Sequence, residues 1–389
     1  MIPIDFPGQI RTDESNPFAN HTMRVRVPDI IQQTLDVNPA LPMESRSALA
    51  ALKIEVATGA AIQPLVRAAS EEERAWQAAY ARRAGETWHS TDWFFAETFV
   101  YRRIIEAVDY FSTRTDPFLP IKRHDYSSTQ HQSLFDAALA VAGKRDERLH
   151  SLIAKDLWGN RVDLSYAESR THGMATADDD LLVDDRSAIL RRLKDRTGTV
   201  HVIADNAGTE LTLDLVLIDA LLSDGWADQV ILHVKFHPTF VSDAIADDVA
   251  WFLDACMQGA FGDAARAHGL RLKSHLDSGR LSLTLDAYWN SPDLWWQMPA
   301  HLLAPLRSAS LVFVKGDANY RRVVGDALWP ADTPFEQVVA NVGISVACIR
   351  TSKSDPVVGL PAGLSDVLQS LEPRWRWSGR RGLIQAFLP

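Results

Sequence analysis

Cysteine is almost absent from this chain. Of 389 residues only Cys256 and Cys348 carry a thiol. Two thiols, each among apolar neighbours, supply neither a disulfide framework nor a structural zinc cluster, and they read as plain core residues. That usage points to a reducing, cytoplasmic setting. No uninterrupted apolar run reaches the roughly 18–20 residues of a membrane-spanning helix. The opening stretch "MIPIDFPGQIRTDESNPFAN" lacks the basic and then apolar segments of a secretory signal. Basic residues are in deficit, with a formal net charge of -10. This argues against a general nucleic-acid binder, which needs a basic surface. A small anion remains open as a ligand, because a few local Arg and Lys residues suffice to hold one.

Several chemical signatures are missing too. No Gly-x-Gly-x-x-Gly follows a strand-like run, and no Walker-type loop, Gly-x-Ser-x-Gly elbow or His-Glu-x-x-His spacing occurs. The histidines, such as His124 and His131, His233 and His237, or His268 and His275, are scattered and read as surface or core residues. Trp295 and Trp296 read as packing.

The composition present, 46% hydrophobic and 23% charged, is that of an ordinary globular protein long enough for two or three domains. The first 150 or so residues have helical texture. Ser70 and Glu73 form a capping-box pattern. The stretch 90–111 places Phe94, Tyr101, Ile104, Ile105 and Val108 on one helical face, with Ser90, Thr91 or Asp92 as its cap. Glu97 projects from that face and Arg102 lies at its edge. A carboxylate in an apolar stripe needs a partner, so the pair reads either as a structural ion pair or as ligand-facing groups on a helix that lids a site. Gly159 and Asn160 mark a turn, residues 166–180 a polar loop, and the acidic cluster 178–185 a solvated helix start. From about 198, strand-like runs alternate with helical ones, the mark of an α/β domain with a mainly parallel sheet. These textures divide the chain into a mainly helical part, 1–180, and an α/β part, 181–389.

Ligands of open parallel sheets bind beyond the carboxyl ends of the strands. Asp205, Asn206 and, a turn later, Glu210 follow "TVHVIA"; Asp243 follows "QVILHVKFHP"; Asn290 follows "LSLTLDAYW". Lys315, Asp317, Asn319, Tyr320 and Arg321 follow "SLVFV", and Arg350 and Lys353 follow "GISVACI". Two carboxylates and an amide, Asp205, Asp243 and Asn206, are hard oxygen donors suited to Mg²⁺ or Mn²⁺. Lys315, Arg321, Arg350 and Lys353 are cations. A divalent ion facing Lys and Arg is the equipment of phosphoryl chemistry. Glu210 is placed to orient or deprotonate a water. Gly208 would let the backbone pass close to a ligand, with the next helix directing its N-terminus at the same spot.

The stretches "YRRI" at 101, "LWGNRVDLS" at 157, "ADNAGTEL" at 204, "FVSD" at 240, "FVKGDANYRR" at 313 and "IRTSK" at 349 run in the order of one known family. The chain resembles the damage-control phosphatases, formerly domain of unknown function 89. Its Arg350–Lys353 "RTxK" motif marks the branch of sugar-phosphate phosphatases and of a relative described as an acidic-residue methyltransferase. The resemblance implies a three-layer α/β/α sandwich with a mainly parallel Rossmann-like sheet and an N-terminal helical domain. It implies a phosphatase dependent on Mg²⁺ or Mn²⁺, with Co²⁺ or Ni²⁺ as stand-ins in vitro, held by Asp205, Asn206 and Asp243. It also implies substrate contacts from Asp317 to Arg321 and at Lys353, and hexose phosphates such as fructose 1-phosphate as substrates. Asn290, Glu97 and Arg102 complete the candidate substrate set. Thr209 and Thr239 stand where bulkier residues are usual in the family. The alternatives are an S-adenosylmethionine-dependent carboxyl methyltransferase, for which no glycine-rich cofactor loop is present, and a non-catalytic sugar-phosphate sensor.

Overall fold

The structure is a computed structural model that describes residues 2, 3, 5–67, 69–159 and 180–389. All but the last residue of the polar loop read at 166–180, the motif residues 160–165 and the first two positions of the acidic cluster lie outside the described residues.

A seven-stranded sheet forms the frame: β1 (Leu181–Asp184), β2 (Thr199–Ile203), β3 (Gln229–Val234), β4 (Leu281–Leu285), β5 (Leu311–Lys315), β6 (Val346–Thr351) and β7 (Gly382–Phe387). Its order is β1-β7-β6-β5-β2-β3-β4. Every neighbouring pair is parallel except β6 with β7. The chain runs outward from β2 to β4 and then returns to the other side of β2 with β5. The crevice between β2 and β5 is therefore the switch point of the sheet, where open α/β folds bind ligands. This is the α/β class expected, with a helical N-terminal part.

One correction concerns the acidic cluster. Leu181–Asp184 is an edge strand, not a solvated helix start; the helix begins only at Arg186. Asp180 is buried against Arg380 and Arg381, at 2.9 and 3.3 Å. Four residues are too few for periodicity to distinguish strand from helix.

Strand alternation assigns each buried side chain to a face. Val200, Val202, Leu311 and Phe313 face helices Thr129–Leu139, Arg145–Gly159 and Thr209–Ser223 in one large core. Ile203, Val312, Val314, Val346 and Cys348 face the opposite layer, with Trp295 buried among them. Helices lie on both faces, so a central strand such as β5, "LVFV" before its lysine, is apolar throughout rather than alternating. Residues 10–118 build a separate core around helix Trp93–Ala107, and that core also takes in Val241 from the α/β part. No helix among the described residues is long and apolar enough to cross a membrane.

Candidate active site

At the switch point lies a half-open cleft with about 530 Å³ of atom-free space, the solvent at its mouth included. Asp205, Asn206 and Asp243 reach it from beyond β2 and β3, Asp317, Ala318 and Arg321 from helix Asp317–Val324, and Lys353 and Ser354 from beyond β6. Helix Trp93–Ala107 covers it with Trp93, Glu97 and Tyr101, positions i, i+4 and i+8 of one face; Arg26 and Phe240 complete the wall.

Two short segments grip each other here. Ala207 N–H donates to Ser242 O at 2.6 Å, and Ala244 N–H donates to Asp205 O at 2.7 Å. This bridge pairs Asn206 with Asp243 and brings both candidate ligand segments to one place. Ser242 Oγ donates to Asn206 Oδ1 at 2.5 Å. Asn206 Nδ2 donates to Asp205 Oδ2 at 2.9 Å and to Glu210 Oε2 at 2.8 Å. The turn that delivers Ser242 and Asp243 is strained. Phe240 and Val241 have φ of 48° and 68°, a region costly for a β-branched residue. Val241 is held there by the helical core, and Phe240 by Tyr101, ring centroids 5.0 Å apart.

The donors fit a small hard cation. Asp205 and Asp243 offer carboxylate oxygens and Asn206 one amide oxygen, a donor set of the kind that suits Mg²⁺ or Mn²⁺ rather than zinc; that amide oxygen accepts from Ser242 here. The Asn206 amide nitrogen, a partial positive charge, already lies between two carboxylates. At Gly316 (φ 81°) an added Cβ would fall 1.9 Å from Asp205 Oδ2, so only glycine lets the end of β5 close over that carboxylate. Among the described residues no three His, Cys, Asp or Glu side chains group as a metal site; the candidate donors here are two carboxylates and an amide.

Arg321 is pre-set. It bonds Asp326 through Nε at 2.7 Å and Nη2 at 3.2 Å, pairs with Glu97 through Nη1, and stacks over Trp93 at 3.6 Å. Burial pulls its pKa down, but Asp326 and Glu97 more than reverse this, so it stays charged. Glu97 is thus both an ion-pair partner and part of the cleft wall, and that partner is Arg321. Arg102 turns away to Glu72, at 2.7 and 3.0 Å. Asp317 accepts from Arg350 Nη1 at 2.8 Å and from the Lys353 amide at 3.1 Å, which ties the two strand-end motifs together.

Several expected contacts are supports instead. Lys315 shares parity with Leu311 and Phe313, so it points into the helical layer. Its Nζ meets Asp214 at 2.7 Å, Asp156 at 2.8 Å and Glu210 at 3.5 Å, all fully enclosed. Arg350 lies over Tyr320 at 3.8 Å, and Tyr320 donates to Gln385. Asn319 donates to the carbonyls of Ala204 and Lys315. Asn290 holds the 236–237 backbone, donating to His237 O and accepting from Phe236 N–H. Lys315, Arg350, Tyr320, Asn319, Asn290, Arg102 and Glu210 do not line the cleft.

Gly208 and its helix also serve another purpose. An added Cβ at Gly208 would meet Asp125 Oδ2 at 2.2 Å. Asp125 accepts from Thr209 N–H at 2.6 Å and from its hydroxyl at 2.9 Å. The chain's own carboxylate occupies that helix N-terminus, not an external anion. Neither Thr209 nor Thr239 lines the cleft.

Sequence reasoning passed over Arg26, Trp93, Phe240 and Ser354. It also missed Lys235, buried with Nζ 3.2 Å from Asp243 Oδ2 and donating to Asn319 Oδ1 at 3.2 Å. A lysine closing the apolar run "QVILHV" was the available signal.

The fold and cleft define an α/β protein with an oxygen-donor and cation site at the switch point of its sheet. The family described as the damage-control phosphatase ARMT1-like domain matches residues 22–368, and the chain belongs to it. Relatives named damage-control phosphatase ARMT1 are 28% identical in Danio rerio, covering 100% of this chain and 98% of that protein, and 28% in Mus musculus, covering 97% and 98%. The crystal structure of a DUF89 family protein from Pyrococcus horikoshii shares the fold, with TM-score 0.52 and 13% identity over 95% of this chain and 98% of that one.

Proposed function

We propose that this protein is a divalent-metal-dependent phosphatase of small phosphorylated sugars, hexose phosphates such as fructose 1-phosphate foremost. The observation that carries the reading is the convergence of Asp205, Asn206 and Asp243 with Lys353 and Arg321 in one cleft. Family membership supplies the phosphatase class. Asp205, Asn206 and Asp243 would hold Mg²⁺ or Mn²⁺. Such an ion, when bound, supplies charge for a phosphoryl oxygen and a water acidic enough to attack. Lys353 and the remaining N–H groups of Arg321 take phosphate charge. Asp317 and Glu97 accept from sugar hydroxyls, and Trp93 and Tyr101 give apolar faces beside them. Glu210 fixes the orientation of Asn206 from behind.

The test is phosphate release from a panel of sugar phosphates with Mg²⁺, Mn²⁺, Co²⁺ or Ni²⁺, beside an EDTA control. Metal-dependent release favouring a ketohexose phosphate is the expected result. No release with any ion rejects the reading.

A further inference from the structure

Beyond the strand-end residues and helix Trp93–Ala107, one residue from the start of the chain, Arg26, lines the cleft. Pro17–Val37 is a helical run interrupted by one π-helical turn, Thr22–Arg26, closed by Val27 N–H donating to Thr22 O. Such wide turns are rare and occur often at functional sites. In a regular helix, residues three and four apart share a face, so Arg26 and Val27 would both follow Met23 into the core. The wide turn, with fewer degrees per residue, swings Arg26 further from Met23 and leaves Val27 beside it. Met23 and Val27 are buried in the helical core, while Arg26, half-buried, lines the cleft.

The same segment is fastened to the loop that carries Lys353. Asn16 Nδ2 donates to Asp355 Oδ2 at 2.8 Å, and Phe18 stacks on Trp377 with centroids 4.9 Å apart. Trp377 Nε1 in turn donates to Asp355 Oδ1 at 2.6 Å. Fastening at Asp355, two residues beyond Lys353, fixes the π-turn relative to that lysine. Two cations from opposite ends of the chain thus border one cleft.

We propose that Arg26 is a phosphate-anchoring residue which, with Lys353, clamps the phosphate monoester dianion from the side opposite Asp205 and Asp243. The inference rests on the phosphatase reading. A guanidinium is suited to the task because it can give two parallel N–H donors to one phosphate.

The experiment is steady-state hydrolysis of fructose 1-phosphate by wild type, Arg26→Ala and Arg26→Lys, together with inhibition by inorganic phosphate. Arg26→Ala is expected to raise both KM and the phosphate inhibition constant by about tenfold or more, with Arg26→Lys intermediate. Unchanged constants, or a fall in kcat alone, would overturn the assignment. Should the alanine variant fail to melt cooperatively, Arg26→Lys and Arg26→Gln decide by the same two constants. A wild type that releases no phosphate rejects the phosphatase reading instead. Calorimetric binding of inorganic phosphate then judges Arg26: weaker binding in the variants supports it, and equal binding overturns it.

Discussion

Two assemblies of lysine, arginine and carboxylate lie on either side of Asn206. In the cleft, Asp205, Asp243 and Asp317 share an open wall with Arg321 and Lys353. Behind it, Lys315 is enclosed by Asp156, Asp214 and Glu210 with no exposure at all for the lysine and the two aspartates. Glu210 belongs to both, holding Asn206 with one oxygen and facing Lys315 with the other. The chemistry of the two sets is the same. What separates them is access to the cleft, and for Lys315 that is decided by the face of β5 its side chain leaves from.

The comparison breaks most sharply at Asp205. If the open assembly is the reactive one, Asp205→Ala should lower metal-dependent phosphate release by at least about a hundredfold while leaving a cooperative thermal transition. Gly316→Ala should do nearly the same from the backbone side, because its Cβ would collide with the Asp205 carboxylate. Retained turnover in either variant, measured with saturating Mg²⁺, removes Asp205 from the chemistry.

The closed assembly should answer in stability. Lys315→Met leaves buried carboxylates without their cation, and urea unfolding should show a loss of about 3–5 kcal/mol. KM for a sugar phosphate should scarcely move in the folded fraction. A raised KM with unchanged stability would restore Lys315 to the phosphate-binding role that its place after "SLVFV" suggests.

A third pair, Arg102 with Glu72, lies between the two in exposure and sharpens the contrast through pH. Burial pushes the Glu72 carboxyl up, but the Arg102 guanidinium and the nearby His237 ring outweigh it and bring the group down to about 2. The His237 ring stands 3.6 Å away, an electrostatic neighbour rather than a hydrogen-bond partner. With the folded value below the unfolded one, the stabilisation is complete above about pH 4.5 and is lost as pH falls toward 2. The stability gap between wild type and Glu72→Gln should be largest near neutrality and shrink across that window. A pH-independent gap would mean the pair contributes through packing alone.

These contrasts mark where the sequence was legible. Asp205, Asn206 and Asp243 could be read because a parallel sheet brings its strand ends to one edge, whatever the loops do. Lys315 could not, because both faces of β5 are buried and "LVFVK" carries no alternation to give its parity. The Glu97 partner was hidden for a related reason: helical periodicity places Glu97 and Arg102 on one helix but says nothing about what docks against it. Arg26 was obscured by a π-turn, which breaks the 3.6-residue period on which helix reading depends.

The smallest effect tests the interior of the closed assembly. Asp214 is driven well above the ordinary carboxyl range, first by burial and then by Asp156, against the pull of Lys315; Asp156 is also raised, chiefly by burial. One lysine facing adjacent buried aspartates therefore favours a proton held within the Asp156–Asp214 pair. Asp214→Asn keeps an acceptor for Lys315 and supplies an N–H where the acid supplied an O–H, so it should change stability at pH 7 by no more than about 1 kcal/mol. The sign of the pH dependence follows. A folded carboxyl that holds its proton longer than the unfolded one gives stability that is full below about pH 4 and declines as pH rises toward its raised value. The asparagine has no such slope, so the variant should gain on wild type as pH climbs from 4. A loss as large as that of Lys315→Met would show instead that Asp214 is ionised, and that the enclosed cluster is as charged as the open one.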